Sequence, residues 1–290
     1  MESWTSYFKI MRPPQWIKNG FVLMPLLFSG RLLQVEDFAK SMGIFLIFCL
    51  ASSITYIIND YMDMDQDRVH PSKRNRPLAA GEISPAAAFV LVGVLMTSIA
   101  LLGAAFQVPY PCYVVIAAYL ILHIVYSIKL KNFVIVDVIA ISAGFLLRVV
   151  AGAVMISVPV SSWLFLCTFS LAIFLALGKR RHEVIMLLDE AGSHRPVLAN
   201  YGMGLLDQLL QAATTSTFIF YCLYSVRGAG IQSEKMMLTI PLVAYGLFRY
   251  LYLIYQKEDG GSPTALLVRD RPLLACLTVW LTVCVFITYA

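Results

Sequence analysis

The sequence predicts an all-α, polytopic membrane protein. Of its 290 residues, 59% are hydrophobic and only 13% are charged, and the mean hydropathy is +0.76. An ordinary soluble domain carries roughly twice that fraction of charged residues. Apolar runs of about 20 residues, the length that a helix needs to cross a bilayer, recur along the chain with short links. We therefore expect a single integral membrane domain, residues 1–290, with about nine transmembrane helices.

The expected spans are taken in order. The first, 20–33, follows the segment RPPQWIKN, in which Pro13 and Pro14 interrupt a helix and Trp16 suits the membrane interface. The others are 39–59, 84–107, 110–128, 133–156, 160–178, 204–226, 236–255 and 271–289. The six cysteines lie singly inside these runs, so we expect free thiols that pack among apolar side chains.

The distribution of positive charge predicts the orientation. Of the 22 Lys and Arg residues, only Arg31, Lys40, Arg227 and Lys235 fall in loops opposite the N-terminus, and two more lie within spans. The positive-inside rule then places the N-terminus and the loops after spans two, four and six in the cytoplasm. An odd number of spans puts the C-terminus outside. We expect a multi-pass protein of a bacterial inner (plasma) membrane.

Residues 59–81, NDYMDMDQDRVHPSKRNRPLAAG, form the densest polar segment. A helical step of 100° per residue brings four oxygen-bearing side chains within an arc of about 100° and turns Asp65 away. Converging carboxylates repel one another, and Mg²⁺ takes oxygen ligands that it usually shares with substrate phosphates. The segment therefore predicts a Mg²⁺ site that bridges to a phosphate ester. The expected ligands are Asn59, Asp60, Asp63 and Asp67, with Asp63 and Asp67 as the catalytic residues.

Basic residues follow the acids directly. Lys73, Arg74 and Arg76 lie beside the expected metal site, and Pro71 ends any helix before them. Such cations neutralise the oxygens of a diphosphate that a metal leaves free, so we predict that they bind substrate, together with Asn59. The alternative is a solvated loop whose acids and bases pair with each other, but mutual pairing does not require acids on one helical face.

This segment resembles the first aspartate-rich motif, N-D-x-x-D-x-x-x-D, of the UbiA superfamily of intramembrane prenyltransferases. Its continuation, D-R-x-H-P-S-K-R-x-R-P-x-A-A-G, is similar to the decaprenyl-phosphate phosphoribosyltransferase branch, as is R-P-x-Q-W-x-K-N followed by P-L-L-F-S-G near the N-terminus. The resemblance implies a UbiA-like helix bundle with its active site on the cytoplasmic side. It also raises Lys18 from a positive-inside anchor to a phosphate contact.

The activity that the resemblance implies is a phosphoribosyl transfer. The 5-phosphoribosyl group would pass from phosphoribosyl diphosphate to a polyprenyl (decaprenyl-type) phosphate, with Mg²⁺ as cofactor and pyrophosphate as by-product, in the synthesis of lipid-linked sugars for the cell wall. An acceptor that is a phosphate monoester is largely a dianion at pH 7, so no general base is required. We expect no nucleic-acid partner, and the sequence leaves a homo-oligomer open.

Two further places carry candidate substrate contacts. The pattern Y-S-x-x-L-K-N-x-x-x-x-D between spans four and five resembles a family segment, which makes Lys129 and Lys131 candidates and Asp137 their expected partner. Arg148 lies within span five on a face with Gly144 and Gly152, so we expect it to face open space and to bind a phosphate. A structural ion pair or snorkelling is the alternative reading of an intramembrane arginine.

The loop after span six departs from the pattern of the superfamily. Prenyl-transferring members carry a second aspartate-rich motif there, whereas this chain has a basic run with only Glu183, Asp189 and Glu190 nearby. Lys179 and Arg180 are therefore predicted to bind anionic substrate groups rather than a second metal. For segment 258–272, a mobile lid and a membrane-edge ion network both remain open.

Two other classes of function remain open at this point. A prenyltransferase that moves a prenyl group from its diphosphate to an aromatic or lipid acceptor would use the same first motif. A transporter would use Arg148 as a substrate or ion site. The concentration of charge in loops on one side of the membrane favours an enzyme over a transporter.

Overall fold

The computed structural model describes residues 4–69, 73–189, 201–228, 233–257 and 260–289, and all regular structure in these ranges is helical. The α-helices are α1 (Trp4–Ile10), α2 (Met24–Phe28), α3 (Val35–Met62), α4 (Met64–Val69), α5 (Pro85–Ala105), α6 (Tyr110–Ile128), α7 (Val136–Met155), α8 (Ser162–Asp189), α9 (Met203–Leu223), α10 (Ser233–Met236), α11 (Ile240–Gln256), α12 (Pro263–Arg269) and α13 (Arg271–Tyr289). Short 3-10 helices cover Pro13–Leu23, Leu130–Asn132 and Met237–Thr239, and a π-helical turn covers Tyr224–Gly228. The predicted all-α class is confirmed.

Eight of the described helices are long and apolar enough to cross a bilayer. They are α3, α5, α6, α7, α8, α9, α11 and α13, and they match predicted spans two to nine in order. Many large apolar side chains on these helices are exposed, for example Leu101, Phe248 and Phe286, as a lipid-facing surface requires. The protein is therefore a multi-pass membrane protein.

The expected first span, 20–33, is not a single helix. The chain forms the 3-10 helix Pro13–Leu23 and then the short α2, because Pro25 lacks the backbone N–H that a helix continuing from residue 20 would need there. Gly30, with a positive φ of 71°, ends this segment in a turn. The count of about nine is thus approximate, and the described residues no longer support the odd number that placed the C-terminus outside.

The structure divides into two compact units, and the boundary falls within α7. Unit 1 consists of Met1–Phe133 and Leu147–Pro159, and unit 2 consists of Val134–Leu146 and Val160–Ala290. The expectation of a single domain stays a prediction.

In unit 1, α3 packs against α5, α6 and the segment Pro13–Leu23. Its inward face carries buried residues at helical spacing: Ile44, Ile47, Phe48, Ile54 and Ile57. Hydroxyl side chains on the same helix are buried too. Ser53 and Thr55 satisfy their hydroxyls on backbone carbonyls of the preceding turn, at 2.8 and 2.7 Å. The core can therefore accept Thr55 without a partner from another segment. The Ser53 hydroxyl also lies 2.9 Å from the Met11 carbonyl oxygen and accepts the Trp16 indole N–H at 3.0 Å.

In unit 2, α8 packs along α9, and α11 packs against α9 and α13. The buried core of this unit includes Phe174, Leu177, Leu206, Leu210 and Leu253. The core of unit 2 therefore lies between α8, α9 and α11. This packing holds the ends of α8 and α11, which carry polar residues of this unit.

One close approach in unit 1 gives a test of the fold. A Cβ atom at Gly152 of α7 would lie 1.9 Å from the carbonyl oxygen of Val22. Backbone cannot yield as a side chain does, so Gly152→Ala should lower the free energy of unfolding by about 1–3 kcal/mol. Gly93→Ala on α5 is the matched control, because nothing lies within 4 Å of its added Cβ. Unfolding in detergent would measure both, and a Gly152→Ala protein as stable as the control would contradict the packing.

Candidate active site

Three acidic residues of segment 59–81 share one buried side of the helical segment. Although α3 ends at Met62, the backbone N–H of Asp63 donates to the Asn59 carbonyl at 2.9 Å and that of Asp67 to the Asp63 carbonyl at 2.8 Å. Helical spacing therefore continues through the junction with α4. The residues Asp60, Asp63 and Asp67 are buried, whereas the Asp65 side chain is 87% exposed and pairs with Arg68.

Cations hold two of these carboxylates together. Arg76 Nη1 donates to Asp67 Oδ2 at 2.5 Å and to Asp60 Oδ1 at 3.0 Å, so one nitrogen atom bridges both acids. Arg12 Nη2 also donates to Asp60 Oδ1, at 2.5 Å. Charge-assisted bonds of this kind offset the cost of burying carboxylates at a membrane edge.

The third carboxylate has its own partners. Lys131 Nζ donates to Asp63 Oδ1, and Asn59 Nδ2 donates to Asp63 Oδ2 at 3.0 Å. The hydroxyl of Ser127 on α6 donates to Asn59 Oδ1 at 3.0 Å, which fixes the direction in which the amide points. Lys131, a predicted substrate contact, therefore lies directly at the acid cluster.

The donor set fits a hard divalent cation in chemistry, since it consists of carboxylate and amide oxygens. Within the described residues, no group of three or more His, Cys, Asp or Glu side chains is arranged as a ready metal site. Instead, Arg76 Nη1 and Lys131 Nζ lie against the carboxylate oxygens that a metal would take. The positive charge that neutralises the three acids therefore comes from the side chains of Arg12, Arg76 and Lys131.

The other predicted contacts of unit 1 lie in exposed or half-buried positions. Lys18 is half-buried in the 3-10 helix Pro13–Leu23, and Lys73 is half-buried in the turn before Arg76. Arg74 is exposed, and so is Lys129 at the end of α6. Their roles as substrate contacts stay predictions.

Arg148 does not face open space, so this prediction is wrong. The residue is buried, and its Nε donates to Asn19 Oδ1 and its Nη2 to the Tyr119 hydroxyl, both at 2.8 Å. The space left by Gly152 on the same face is filled by the Val22 carbonyl. Helical periodicity identified the small-residue face correctly, but another segment of backbone occupies it. A phosphate contact by Arg148 stays a prediction.

A second polar cluster lies in unit 2 and contains Asp137. The expectation that Asp137 partners Lys129 and Lys131 is wrong, because Arg180 Nε donates to Asp137 Oδ2 at 2.6 Å and Tyr201 donates its hydroxyl proton to Asp137 Oδ1 at 2.7 Å. Arg180 also donates to Glu183. Burial, together with this hydrogen bond to a carboxylate, raises the pKa of Tyr201 above its usual range, so the phenol stays a neutral donor.

The rest of the basic run of α8 is also paired with acids. Lys179 Nζ lies 3.5 Å from Glu183 Oε1, and Arg181 donates to Asp207 at 2.8 Å while stacking on the Tyr255 ring. Arg180 is fully buried. Substrate binding by Lys179 and Arg180 stays a prediction. The side chain of Asp189 and all of Glu190 lie outside the described residues.

In segment 258–272, described from Gly260 onward, an ion network is present. Arg249 donates to both oxygens of Asp270, at 3.2 and 2.8 Å, and Asp270 Oδ1 accepts the backbone N–H of Leu273 in the first turn of α13. These hydrogen bonds, those from Arg249 foremost, lower the pKa of Asp270. Asp270 thus caps a helix, and this favours the ion network over the lid.

Comparison with known proteins identifies the family. The sequence profile of the UbiA prenyltransferase family matches residues 22–268. The chain belongs to the UbiA prenyltransferase family. A decaprenyl-phosphate phosphoribosyltransferase of Mycolicibacterium smegmatis is 34% identical, over 94% of this chain and 89% of that protein. A protein of the same name from Mycobacterium tuberculosis is 31% identical, over 94% of this chain and 91% of that protein.

The fold of this UbiA-family chain also matches a solved structure. A UbiA homologue from Archaeoglobus fulgidus bound to GPP and Mg²⁺ superposes with a TM-score of 0.72 and covers 98% of this chain and 100% of its own. At 19% identity, this likeness shows the fold alone. The family and the helical bundle expected from the motifs are therefore confirmed.

Sequence reasoning missed several residues of the two clusters. Arg12, Asn19 and Ser127 all contact predicted site residues, and none had been singled out. Arg12 and Asn19 lie within the motif R-P-x-Q-W-x-K-N, so their motif was a signal that they matter. Ser127 likewise lies within the quoted pattern Y-S-x-x-L-K-N. Tyr201 gave no such signal, because its contact with Asp137 depends on the packing of helices.

The role of Arg180 can be tested by stability. Removing its guanidinium in Arg180→Met leaves the fully buried Asp137 carboxylate without its cation, which should cost about 3–5 kcal/mol of unfolding free energy. Arg68→Met, which breaks an exposed pair with Asp65, should change stability little. Denaturant unfolding in detergent measures both. If Arg180→Met kept full stability and only raised KM for a phosphorylated substrate, Arg180 would be a substrate contact instead.

Proposed function

We propose that this UbiA-family protein transfers a 5-phosphoribosyl group from phosphoribosyl diphosphate to a polyprenyl phosphate of the decaprenyl type, and releases pyrophosphate. The similarity to decaprenyl-phosphate phosphoribosyltransferases over almost the full chain carries this proposal. The reaction breaks the bond between C1 of the ribose and the diphosphate oxygen. It forms a bond between C1 and an oxygen of the lipid phosphate.

Asn59, Asp60, Asp63 and Asp67 are the residues that would hold Mg²⁺. When bound, the ion supplies Lewis-acid chemistry that draws charge from the leaving diphosphate. Arg76 and Lys131 contact the same carboxylates, so they are positioned to stabilise negative charge that develops on departing pyrophosphate. Lys73 and Arg74 belong to the same basic segment and add positive charge for a polyanionic donor.

The acceptor needs no general base from this chain. A phosphate monoester has a second pKa of about 6 and is largely a dianion at neutral pH, so its oxygen attacks without losing a proton to the protein. The acid cluster is consistent with this, since its carboxylates form ion pairs with Arg12, Arg76 and Lys131. The polyprenyl tail of the acceptor explains why the enzyme is embedded in a membrane.

We place the reaction at the cytoplasmic side of a bacterial inner membrane. The excess of Lys and Arg on the side of the acid cluster supports this orientation. Lys18, Lys129, Arg148 and Lys179 are proposed as further contacts to the phosphate groups of the two substrates.

The donor can be tested with purified protein. In detergent with Mg²⁺, phosphoribosyl diphosphate and a long-chain polyprenyl phosphate, the protein should release pyrophosphate and form a lipid-linked phosphoribose. Omission of the lipid or chelation of the metal should abolish both products. Pyrophosphate release from a prenyl diphosphate with an aromatic acceptor, and none from the sugar donor, would falsify this function in favour of a prenyltransferase.

The metal ligands can be tested in the same assay. Asp63→Asn and Asp67→Asn should each lower kcat by at least about two orders of magnitude, as expected when an electrostatic stabiliser is lost. Asp65→Asn is the matched control, because that side chain is exposed and points away from the cluster. Equal losses in all three variants would show that position on the helical face does not decide function.

A further inference from the structure

A cleft of about 280 Å³ lies beside the acid cluster in unit 1. We call it the N-terminal cleft. It is lined by Lys9, Arg12, Asp60, Asn75, Arg76 and Pro77. Three of the six lining residues are cations, only one is an acid, and Asn75 adds a neutral amide. A cleft of this size and charge suits a phosphate group with part of the molecule that carries it.

The two arginines of the cleft are fixed by one buried carboxylate. Arg12 Nη2 and Arg76 Nη1 both donate to Asp60 Oδ1, at 2.5 and 3.0 Å, and the Asp60 side chain is 2% exposed. The Arg12 guanidinium also lies over the Tyr56 ring, 5.2 Å from its centroid. A guanidinium held in this way loses less conformational entropy when it binds a ligand.

Among the described residues, few of the donors of these two arginines are used. Each guanidinium has five N–H groups. Among the residues that the structure describes, the hydrogen bonds of Arg12 come from Nη2 alone and those of Arg76 from Nη1 alone. The remaining nitrogen atoms of both side chains belong to residues that line the cleft. Two guanidinium groups that are held in place and have further N–H donors match the oxygens of a phosphate.

The backbone of Arg12 is strained in a way that serves this arrangement. Arg12 has φ 53° and ψ 56°, in the left-handed region, although it is not glycine and precedes Pro13. Such a conformation is strained and persists only where the surroundings enforce it, commonly at functional sites. Here the turn between α1 and the 3-10 helix Pro13–Leu23 carries the side chain that reaches Asp60.

We propose that the N-terminal cleft binds the phosphate monoester of one substrate through Arg12 and Arg76, which Asp60 holds in position. Arg12 thereby becomes a substrate-binding residue. Among the described residues, both arginines donate to Oδ1 of Asp60, and Oδ2 makes neither of these two hydrogen bonds. The identity of the ligands rests on the proposed function: the phosphate belongs either to the ribose 5-phosphate end of the donor or to the head group of the lipid.

Binding without turnover tests the cleft. Ribose 5-phosphate and a short-chain prenyl phosphate are titrated separately by calorimetry into metal-free protein in detergent, with ribose and the prenyl alcohol as ligands that lack the phosphate. Arg12→Gln should weaken binding of one of the two phosphates by about tenfold to a hundredfold and leave the other within about twofold, as loss of a charge-assisted contact predicts. Arg12→Lys should recover part of the loss, because it restores charge without the fork.

Arg68→Gln is the matched control, since this arginine of the same region is exposed and pairs with Asp65. It should bind both phosphates like the wild type. The proposal is overturned if Arg12→Gln binds both phosphates like the wild type, if the wild type shows no binding that depends on a phosphate, or if both affinities fall together with the unfolding temperature. In the last case Arg12 is only structural.

The cleft and the proposed function fail in different ways. If the wild type turns over phosphoribosyl diphosphate and Arg12→Gln has unchanged KM values, the proposed role of the cleft is wrong and the proposed function stands. If no such turnover occurs but phosphate binding still depends on Arg12, the proposed function is wrong and the proposed role of the cleft stands.

Discussion

The need to neutralise three buried carboxylates governs the structure around the candidate site. Asp60, Asp63 and Asp67 lie on one helical face that runs from the end of α3 into α4. Burying a carboxylate without a cationic partner costs a large free energy. Each therefore recruits a cation from a different part of the chain: Arg12 after α1, Arg76 in the loop after α4, and Lys131 after α6. The N-terminal segment, the polar loop and the end of α6 are held at the site by these pairs.

Local periodicity was sufficient for much of the fold and for the acid cluster. Eight of the expected spans appear, since an uninterrupted apolar run of this length has one stable form in a membrane. The burial of Asp60, Asp63 and Asp67 and the exposure of Asp65 follow from the helical step alone. These features depend only on residues that are neighbours along one helix.

Partners were harder to predict, because they depend on packing between helices. Asp137 pairs with Arg180, 43 residues away, and not with the lysines that precede it. Arg148 meets Asn19, 129 residues away, in a place where the sequence indicated open space. The expected span at 20–33 is not one α-helix for a local reason, since Pro25 and the short length of the segment outweigh its apolar character. Composition describes how apolar a segment is but does not describe its backbone hydrogen bonds.

The balance of charge in the cluster has a consequence for how the protein is made. Three acids meet three cations of the same chain, so the site is electrically compensated before any divalent ion arrives. In small zinc domains, by contrast, the metal supplies the folding energy and the apo chain is unfolded. Here the nascent chain can insert into the bilayer and mature without metal. The fold around the acid cluster is thus stabilised by the ion pairs of the chain itself and does not wait for a bound metal.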